Sequence, residues 1–196
     1  STVGGNLHAT ATTGNMTQSG ALDIEGTTTL ITSADDATIT LGTTSNAFTG
    51  ALLITTNDSG TDTAGDVSVH GGTTALVIGD STVDGDLTLT STATGAAAIA
   101  DTGRLNIRGI TTVSASGVNV TLNTTTNNFQ GAVKIGGVNV TVVDAGAIDL
   151  GASTVTGTYT ITAGGAVTDS GALAITGVTT VSAGGDVTLN TTTNNF

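Results

Sequence analysis

The ten residues VTLNTTTNNF occur twice in this chain, at 120–129 and again, letter for letter, at 187–196. An identical stretch of this length within 196 residues indicates a protein built from stacked structural repeats. Outside this stretch, 153–196 aligns with 81–129, and more loosely with 1–48.

Three phenylalanines mark equivalent points of the three aligned segments. Phe48, Phe129 and Phe196 lie 81 and 67 residues apart. We therefore expect one repeat domain over 1–196, with units of approximately 1–48, 49–129 and 130–196. The chain ends on this marker in the middle of the pattern, so we also expect it to be a piece of a longer array.

Short runs between the turn residues alternate between apolar and polar residues. Val118, Val120 and Leu122 alternate with Asn119 and Thr121, and a period of two places the apolar set on one face of a β-strand. The charged residues within such runs are all predicted to face solvent: Asp23, Glu25, Arg108 and Lys134. The residues predicted to face inward in one continuous set of apolar columns are Val120, Leu122, Ile161, Ile175, Val187 and Leu189.

A unit of about 67 residues divides into three coils of roughly 22, each with two or three short strands. This predicts an all-β chain that forms a parallel β-helix (β-solenoid) of about 8–9 coils and roughly 40 Å in length. The glycine pairs at 71–72, 164–165 and 184–185 are predicted to supply positive φ angles at corners. The first spacing is 14 residues longer than the second, which places insertions around 56–64 and 91–98.

Composition excludes several classes of protein. Only Arg104, Arg108 and Lys134 carry a fixed positive charge against a net charge of −12, so a nucleic-acid partner is excluded. The chain has no Cys, which excludes disulfides and thiolate metal sites. It has no Pro and no Trp, and its 2% of aromatic residues cannot anchor a conventional globular core.

Several motifs resemble the repeats of filamentous-haemagglutinin-like exoproteins, which are large bacterial surface adhesins of the two-partner-secretion and autotransporter kind. They are NNFQGAV, AIDLGASTV, GTYTITAGGAVTDSGAL and VTTVSAGGDVTLN. The resemblance covers nearly the whole chain and is weakest at 56–64. It implies a right-handed parallel β-helix, export to the bacterial cell surface, and a structural or adhesive role as a stalk or fibre. It carries over no functional residue and no ligand, so a host-surface or carbohydrate ligand stays unidentified.

Polysaccharide lyases and pectin hydrolases also have the β-helix architecture, so an enzyme is an alternative interpretation. Asp35 and Asp36 form a carboxylate pair, but consecutive residues of an extended chain point apart, and glycoside hydrolysis needs two carboxyls at a fixed separation. Three cations are also too few to neutralise uronate substrates. We expect no catalytic residue and no cofactor.

Calcium is a further alternative, because oxygen ligands from spaced acids suit this ion. Asp58, Asp62 and Asp66 in the long insertion are the weak candidates for a structural site, together with Asp80, Asp84 and Asp86 near the second STV motif. The default interpretation of these acids is a solvated acidic surface.

Several other polar residues are predicted to lie on the surface or in turns. His8 and His70 are single outward residues, and Arg104, Asn106 and Arg108 share one outward face near Asp101, which predicts a local salt bridge. The Asn pairs at 127–128 and 194–195 are predicted to occupy turns and to hydrogen-bond with neighbouring coils.

Ice binding is the second functional class. Thr-x-Thr pairs such as those at 88–90 and 160–162 could form a flat hydroxyl and methyl array, which Asp23, Glu25, His70 and Arg108 at other outward positions would interrupt. Open solenoid ends present unpaired strand edges. We therefore expect neighbouring repeats of the same protein as partners, with end-to-end self-association of the isolated chain.

Overall fold

The computed structural model describes residues 1–57, 59–60, 64–95, 98–115 and 117–196. Over these residues the chain is a parallel β-solenoid of about nine turns with about 21 residues per turn. This confirms the predicted fold class and the predicted number of coils. The described residues form no helix, and none of them belongs to a segment that could cross a membrane as a helix.

Each coil except the last contains three short strands, which run in chain order. The first three coils contain β1 (Thr2–Val3), β2 (Leu7–Ala11), β3 (Met16–Thr17), β4 (Asp23–Ile24), β5 (Thr28–Asp35), β6 (Ile39–Leu41), β7 (Ala47–Phe48), β8 (Leu52–Asn57) and β9 (Val67–His70). The middle three contain β10 (Leu76–Ile78), β11 (Ser81–Val83), β12 (Leu87–Thr90), β13 (Ala98–Asp101), β14 (Leu105–Ile107), β15 (Thr111–Ser114), β16 (Asn119–Leu122), β17 (Asn128–Phe129) and β18 (Val133–Gly137).

The last three coils contain β19 (Val140–Asp144), β20 (Ile148–Leu150), β21 (Ser153–Val155), β22 (Tyr159–Ala163), β23 (Val167–Asp169), β24 (Leu173–Ile175), β25 (Thr179–Ala183) and β26 (Val187–Thr188). An isolated bridge between Ala174 and Asn195 takes the place of a third strand in the last coil.

All strand pairs are parallel and join successive coils. One column runs β10-β13-β16-β19-β22-β25 and another runs β3-β6-β9-β12-β15-β18. The register is in step from coil to coil, so Val120 lies beside Val140, and Val142 lies beside Ile161. Because like positions stack, each column buries one continuous apolar row.

Two strands each pair with two successive strands of the next coil. β8 pairs with both β10 and β11, and the repeat-equivalent β18 pairs with both β20 and β21. The repeat from Phe48 to Phe129 therefore contains ten strands, which is three coils and one further strand. As a result the repeated motif moves to another column: STV is β11 of the 12-stranded sheet in the second unit and β21 of the 11-stranded sheet in the third.

The apolar rows of the columns meet in one core cluster of mostly aliphatic side chains with few aromatic ones. Val120, Leu122 and Ile161 are fully buried, Ile175 is nearly so, and Leu189 packs partly buried against the same cluster. Val187 occupies the predicted inward position beside Val167, but it is 51% exposed because β26 has a strand partner on one side only. The charged residues of the alternating runs (Asp23, Glu25, Arg108 and Lys134) face outward, as predicted.

The prediction that corner glycines supply positive φ angles is wrong for the pairs at 164–165 and 184–185. Among described glycines a positive φ occurs at Gly14, Gly65, Gly72 and Gly95, so only Gly72 of the predicted set has one. Gly164 is required for a different reason, because a Cβ there would lie 2.1 Å from the carbonyl oxygen of Ala145 in the preceding coil. Gly184 meets the carbonyl oxygen of Gly164 at the same distance.

The inward and outward positions of β16 provide a direct test of this register. Leu122→Asp would bury an unpaired carboxylate among apolar side chains, and we expect it to lower the free energy of unfolding by several kcal/mol (on the order of 3–5). Thr121→Asp, one residue away on the outer face, should cost less than about 1 kcal/mol. Urea denaturation followed by circular dichroism measures both values, and equal penalties would contradict the assigned register.

Candidate functional site

A cluster of hydrogen bonds that polar side chains form between successive coils recurs at the turn that precedes each repeat-marking phenylalanine. We call this cluster the polar lock. In the second unit Asp101, at the end of β13, accepts hydrogen bonds from the backbone N–H groups of Asn123 (2.8 Å) and Thr124 (3.1 Å) one coil later. The same carboxylate accepts a 2.6 Å hydrogen bond from Nδ2 of Asn127. Oδ1 of Asn127 then accepts from the backbone N–H of Leu105 at 2.8 Å, so both ends of the amide are used.

The third unit repeats this arrangement. Asp169 accepts from the N–H groups of Asn190 (2.9 Å) and Thr191 (3.2 Å) and from Nδ2 of Asn194 at 2.6 Å. Oδ1 of Asn194 accepts from the N–H of Leu173 at 2.9 Å. Asn127 and Asn194 lie directly after these turns and bond to neighbouring coils, as predicted, whereas Asn128 belongs to β17 and Asn195 forms the isolated bridge to Ala174.

The first unit makes the lock with an amide in place of the acid. The side chains of Gln18 and Asn46 exchange two hydrogen bonds of 2.8 and 2.9 Å. Oδ1 of Asn46 accepts from the N–H of Leu22 at 3.0 Å. Sequence reasoning missed the acid partner, although an Asp about 22 residues before each TTTNN stretch was a signal that could have found it.

Asp101 is consequently not the partner of the surface arginines. It is 7% exposed and its oxygens face backbone and amide donors, whereas Arg108 lies 3.8 Å from Asp84. The expected salt bridge is thus formed, but by a different acid, because Asp101 sits inside the turn and Asp84 lies one coil above Arg108 on the outer face.

Two acids at these turns have shifted pKa values in opposite directions. Burial raises the pKa of Asp169, but hydrogen bonds from Asn194, Asn190 and Thr191 outweigh it and hold the pKa below 3.8. The lock therefore contributes stability above the ordinary pKa that is lost as the pH falls through the folded value. For Asp144, burial raises the pKa despite hydrogen bonds from the N–H groups of Phe129 and Gly146. Because the folded-state pKa of Asp144 is raised, its contribution to stability is present at low pH and is lost as the pH rises through the folded-state pKa.

The calcium site predicted in the insertion stays a prediction, because two of its three acids are not described. Asp58 and Asp62 lie outside the described residues. Oδ1 of Asp66 accepts from the N–H of Asp86 at 2.8 Å, and Oδ1 of Asp86 accepts from the N–H of Ile110 at 2.7 Å. Within the ranges that the structure describes, no three His, Asp or Glu side chains are arranged to hold a metal ion.

The Asp35–Asp36 pair lies at the end of β5, where Asp36 has a φ of 58°. The Asp35 carboxylate binds Ser59, from its N–H at 2.6 Å and its hydroxyl at 2.9 Å, and these bonds lower the pKa of Asp35. This carboxylate therefore ties β5 to the loop of the next coil. His8 is exposed and bonds Thr10 at 3.3 Å, while Nδ1 of His70 accepts from the N–H of Gly72.

A charged platform covers the outer faces of β11 and β14. Asp80, Thr82 and Asp84 occupy successive outward positions in one coil, and Arg104, Asn106 and Arg108 occupy the same positions in the next, with Thr82 and Asn106 in register. Asn128 follows in the coil after that and donates from Nδ2 to Oδ1 of Asn106 at 2.8 Å. A cleft of about 420 Å³ opens beside it, lined by Thr55, Asp80, Ser81, Thr82 and Arg104.

The comparison with protein families gave one match, to repeats of unknown function (DUF5649), at residues 1–55, 64–136 and 137–196. The chain belongs to this family. The gap between the first two matched segments coincides with the insertion that the spacing of the phenylalanines places at 56–64. Comparisons with curated proteins and with solved structures gave no match. The DUF5649 repeats are thus shown to form a β-solenoid here, without a function attached.

A substitution in the polar lock of the DUF5649 repeat tests whether the hydrogen bonds of Asp101 stabilise the stacking of the coils. Asp101→Ala would leave two backbone N–H groups and one amide without an acceptor, and each unsatisfied buried donor costs about 1–3 kcal/mol. We expect a loss of at least about 3 kcal/mol in the free energy of unfolding. Asp80→Ala removes one exposed cap on the N–H of Arg104 and should cost about 1 kcal/mol or less. Chemical denaturation compares the two, and an Asp101 variant as stable as the Asp80 variant would contradict the lock.

Proposed function

We propose that this chain is a non-catalytic structural segment of a large exported bacterial surface protein, in which it acts as a stalk or adhesive fibre. The observation that carries the proposal is the parallel ladder that pairs every coil in register with its neighbours from β1 to β26. A rod of this kind holds whatever it bears at a fixed distance, because each coil adds one strand spacing of about 4.8 Å.

The placement of polar groups supports the same role. In the described residues the buried acids Asp101 and Asp144 accept hydrogen bonds from backbone groups across coils, so they fix the stacking. The resemblance to filamentous-haemagglutinin-like exoproteins supports export and an extracellular, cell-surface location. Ice binding remains the second candidate, because outward Thr121, Thr141, Thr160 and Thr180 align in four consecutive coils without a charged residue in the column.

Deletion of this segment tests the stalk. Removing residues 1–196 from the exported protein that carries them should shorten its fibre by about 43 Å, which is nine coils of about 4.8 Å, while export continues. Electron microscopy of the purified fibre measures its length. The control replaces the segment with a shuffled sequence of the same composition, which should shorten or collapse the fibre in that region. Loss of an enzymatic activity upon deletion, or an unchanged length, would contradict the proposal.

The partners that we propose are neighbouring repeats of the same protein, stacked end to end. The last coil exposes Val178, Val187 and Phe196, at 69, 51 and 59%. The first coil opens into a cavity of about 340 Å³ whose mixed lining includes the apolar side chains of Leu7, Met16 and Leu22 and the polar side chain of Gln18. Each end also carries strands with one partner only, and a further coil would supply both the missing hydrogen bonds and the missing apolar contact.

Sedimentation velocity of the isolated chain over a concentration series tests this pairing. We expect the sedimentation coefficient to rise with concentration, as for linear association of rods. Val187→Lys should suppress association, because the charge would enter the stacked face, whereas Thr121→Lys on the side of the rod should not. A chain that stays monomeric at all concentrations would contradict end-to-end stacking.

A further inference from the structure

We propose that the platform formed by Asp80, Thr82, Asp84, Arg104, Asn106 and Arg108 is a binding site for a neutral saccharide, recognised through its hydroxyl groups. This goes beyond a role as a stalk and does not depend on it. A rod that binds no saccharide can still act as a spacer.

The repeat itself shows that folding does not require these charges. In the third unit β21 and β24 pair in the same register as β11 and β14, with Ser153 beside Leu173 as Ser81 is beside Leu105. The six equivalent outward positions there are uncharged: Ala152, Thr154, Thr156, Ala172, Ala174 and Thr176. The same strands therefore form with alanine and threonine, so the charged set of the second unit is an addition to the scaffold.

The stabilisation that these charges supply is small: Oδ1 of Asp80 caps the exposed N–H of Arg104 at 2.7 Å, a bond that contributes about 1 kcal/mol or less. The ion pair between Nη1 of Arg108 and Oδ1 of Asp84 spans 3.8 Å on partly exposed side chains, and surface ion pairs contribute about 0–1 kcal/mol. Nη2 of Arg104 reaches Oδ1 of Asn106 only at 3.4 Å. Two of the three Lys and Arg residues of a chain with net charge −12 are nevertheless gathered on this one strand face.

The chemistry of the platform selects the class of ligand. Two aspartates and two arginines cancel, so the site is neutral within a strongly acidic chain, and anionic glycans are repelled by the remaining charge. Carboxylates accept, guanidinium groups donate, and the amide and hydroxyl groups of Asn106 and Thr82 do both. These groups lie on a grid of about 4.8 Å between coils and about 6.6 Å between alternate residues of a strand. Adjacent hydroxyls of a sugar ring each need a donor and an acceptor, which such a grid provides.

The location also suits a binding site. The adjoining cleft of about 420 Å³ falls within the usual range for ligand pockets, about 300–1,000 Å³. Thr55, which lines it, belongs to β8, and the insertion at 56–64 begins with the last two residues of that strand. Oγ1 of Thr56 accepts from the N–H of Asp84 at 3.0 Å, which ties the start of the insertion to the platform. Insertions in solenoid repeats are commonly placed on the binding face.

The primary test is a glycan microarray that carries neutral, uronate-containing and sialate-containing oligosaccharides, probed with the whole chain. We expect binding to neutral oligosaccharides, followed by a titration calorimetry measurement on the strongest of them. Asn106→Ala and Arg104→Lys should each weaken binding by about tenfold or more, the second because lysine keeps the charge but loses the planar fork of donors. Circular dichroism and thermal unfolding should show both variants folded like the parent chain.

Matched controls come from the third unit. Thr154→Ala and Thr176→Ala, at the positions equivalent to Thr82 and Arg108, should leave the affinity unchanged. Transfer of the platform to the third unit by Ala152→Asp, Thr156→Asp, Ala172→Arg, Ala174→Asn and Thr176→Arg should raise the stoichiometry from one site to two. Absence of binding to every neutral saccharide, binding to anionic glycans alone, or unchanged affinity in folded Asn106→Ala and Arg104→Lys variants would overturn the proposal.

Discussion

The whole fold depends on one constraint, which is that successive coils stay one strand spacing apart at the corners as well as in the strands. Within strands the parallel backbone ladder maintains this spacing. At corners the ladder is interrupted, and side-chain oxygens replace the missing carbonyls: Oδ1 of Asn6, Asn15 and Asn139 each accept from a backbone N–H of the next coil at 2.9–3.0 Å. Without these acceptors the corner N–H groups would lack a partner at the point where the chain turns.

The same constraint explains the composition of the chain. Corners that stack at this distance leave no room for a Cβ at Gly164 or Gly184, where a carbonyl of the preceding coil lies in the way. Inside the rod, Val, Ile and Leu fill a narrow interior in which the large aromatic side chains are confined to Phe48, Phe129 and Tyr159 among the fully buried residues. A core of small side chains is sufficient because each coil is stabilised by two neighbours, so stability accumulates along the rod.

The repeat from Phe48 to Phe129 contains ten strands, whereas each coil has room for three, and this mismatch decides on which side of the rod a repeated motif lies. Equivalent strands such as β12 and β22 fall in different columns, so a motif that recurs in sequence is presented on a different side of the rod. The charged platform of the second unit is therefore not repeated by the same motif of the third unit, which lies on another side of the rod. Each unit can carry its own surface chemistry on its own side: the STV strand and its neighbour present charged residues in the second unit, whereas the six equivalent outward positions of the third unit are alanine and threonine.

The sequence by itself determined the class of fold, the number of coils and the inward or outward position of residues such as Leu122 and Thr121, because a period of two and the return of TTTNNF are local properties that require no knowledge of the neighbours. It also predicted that the Asn pairs form hydrogen bonds with neighbouring coils. Only the tertiary structure decided which residues from different coils meet. Asp101 is buried against Asn127 rather than paired with an arginine, Gly164 is needed for close approach rather than for φ, and the identical STV motifs lie in different sheets, because contacts between residues about 20 positions apart depend on how each coil lies upon the previous one.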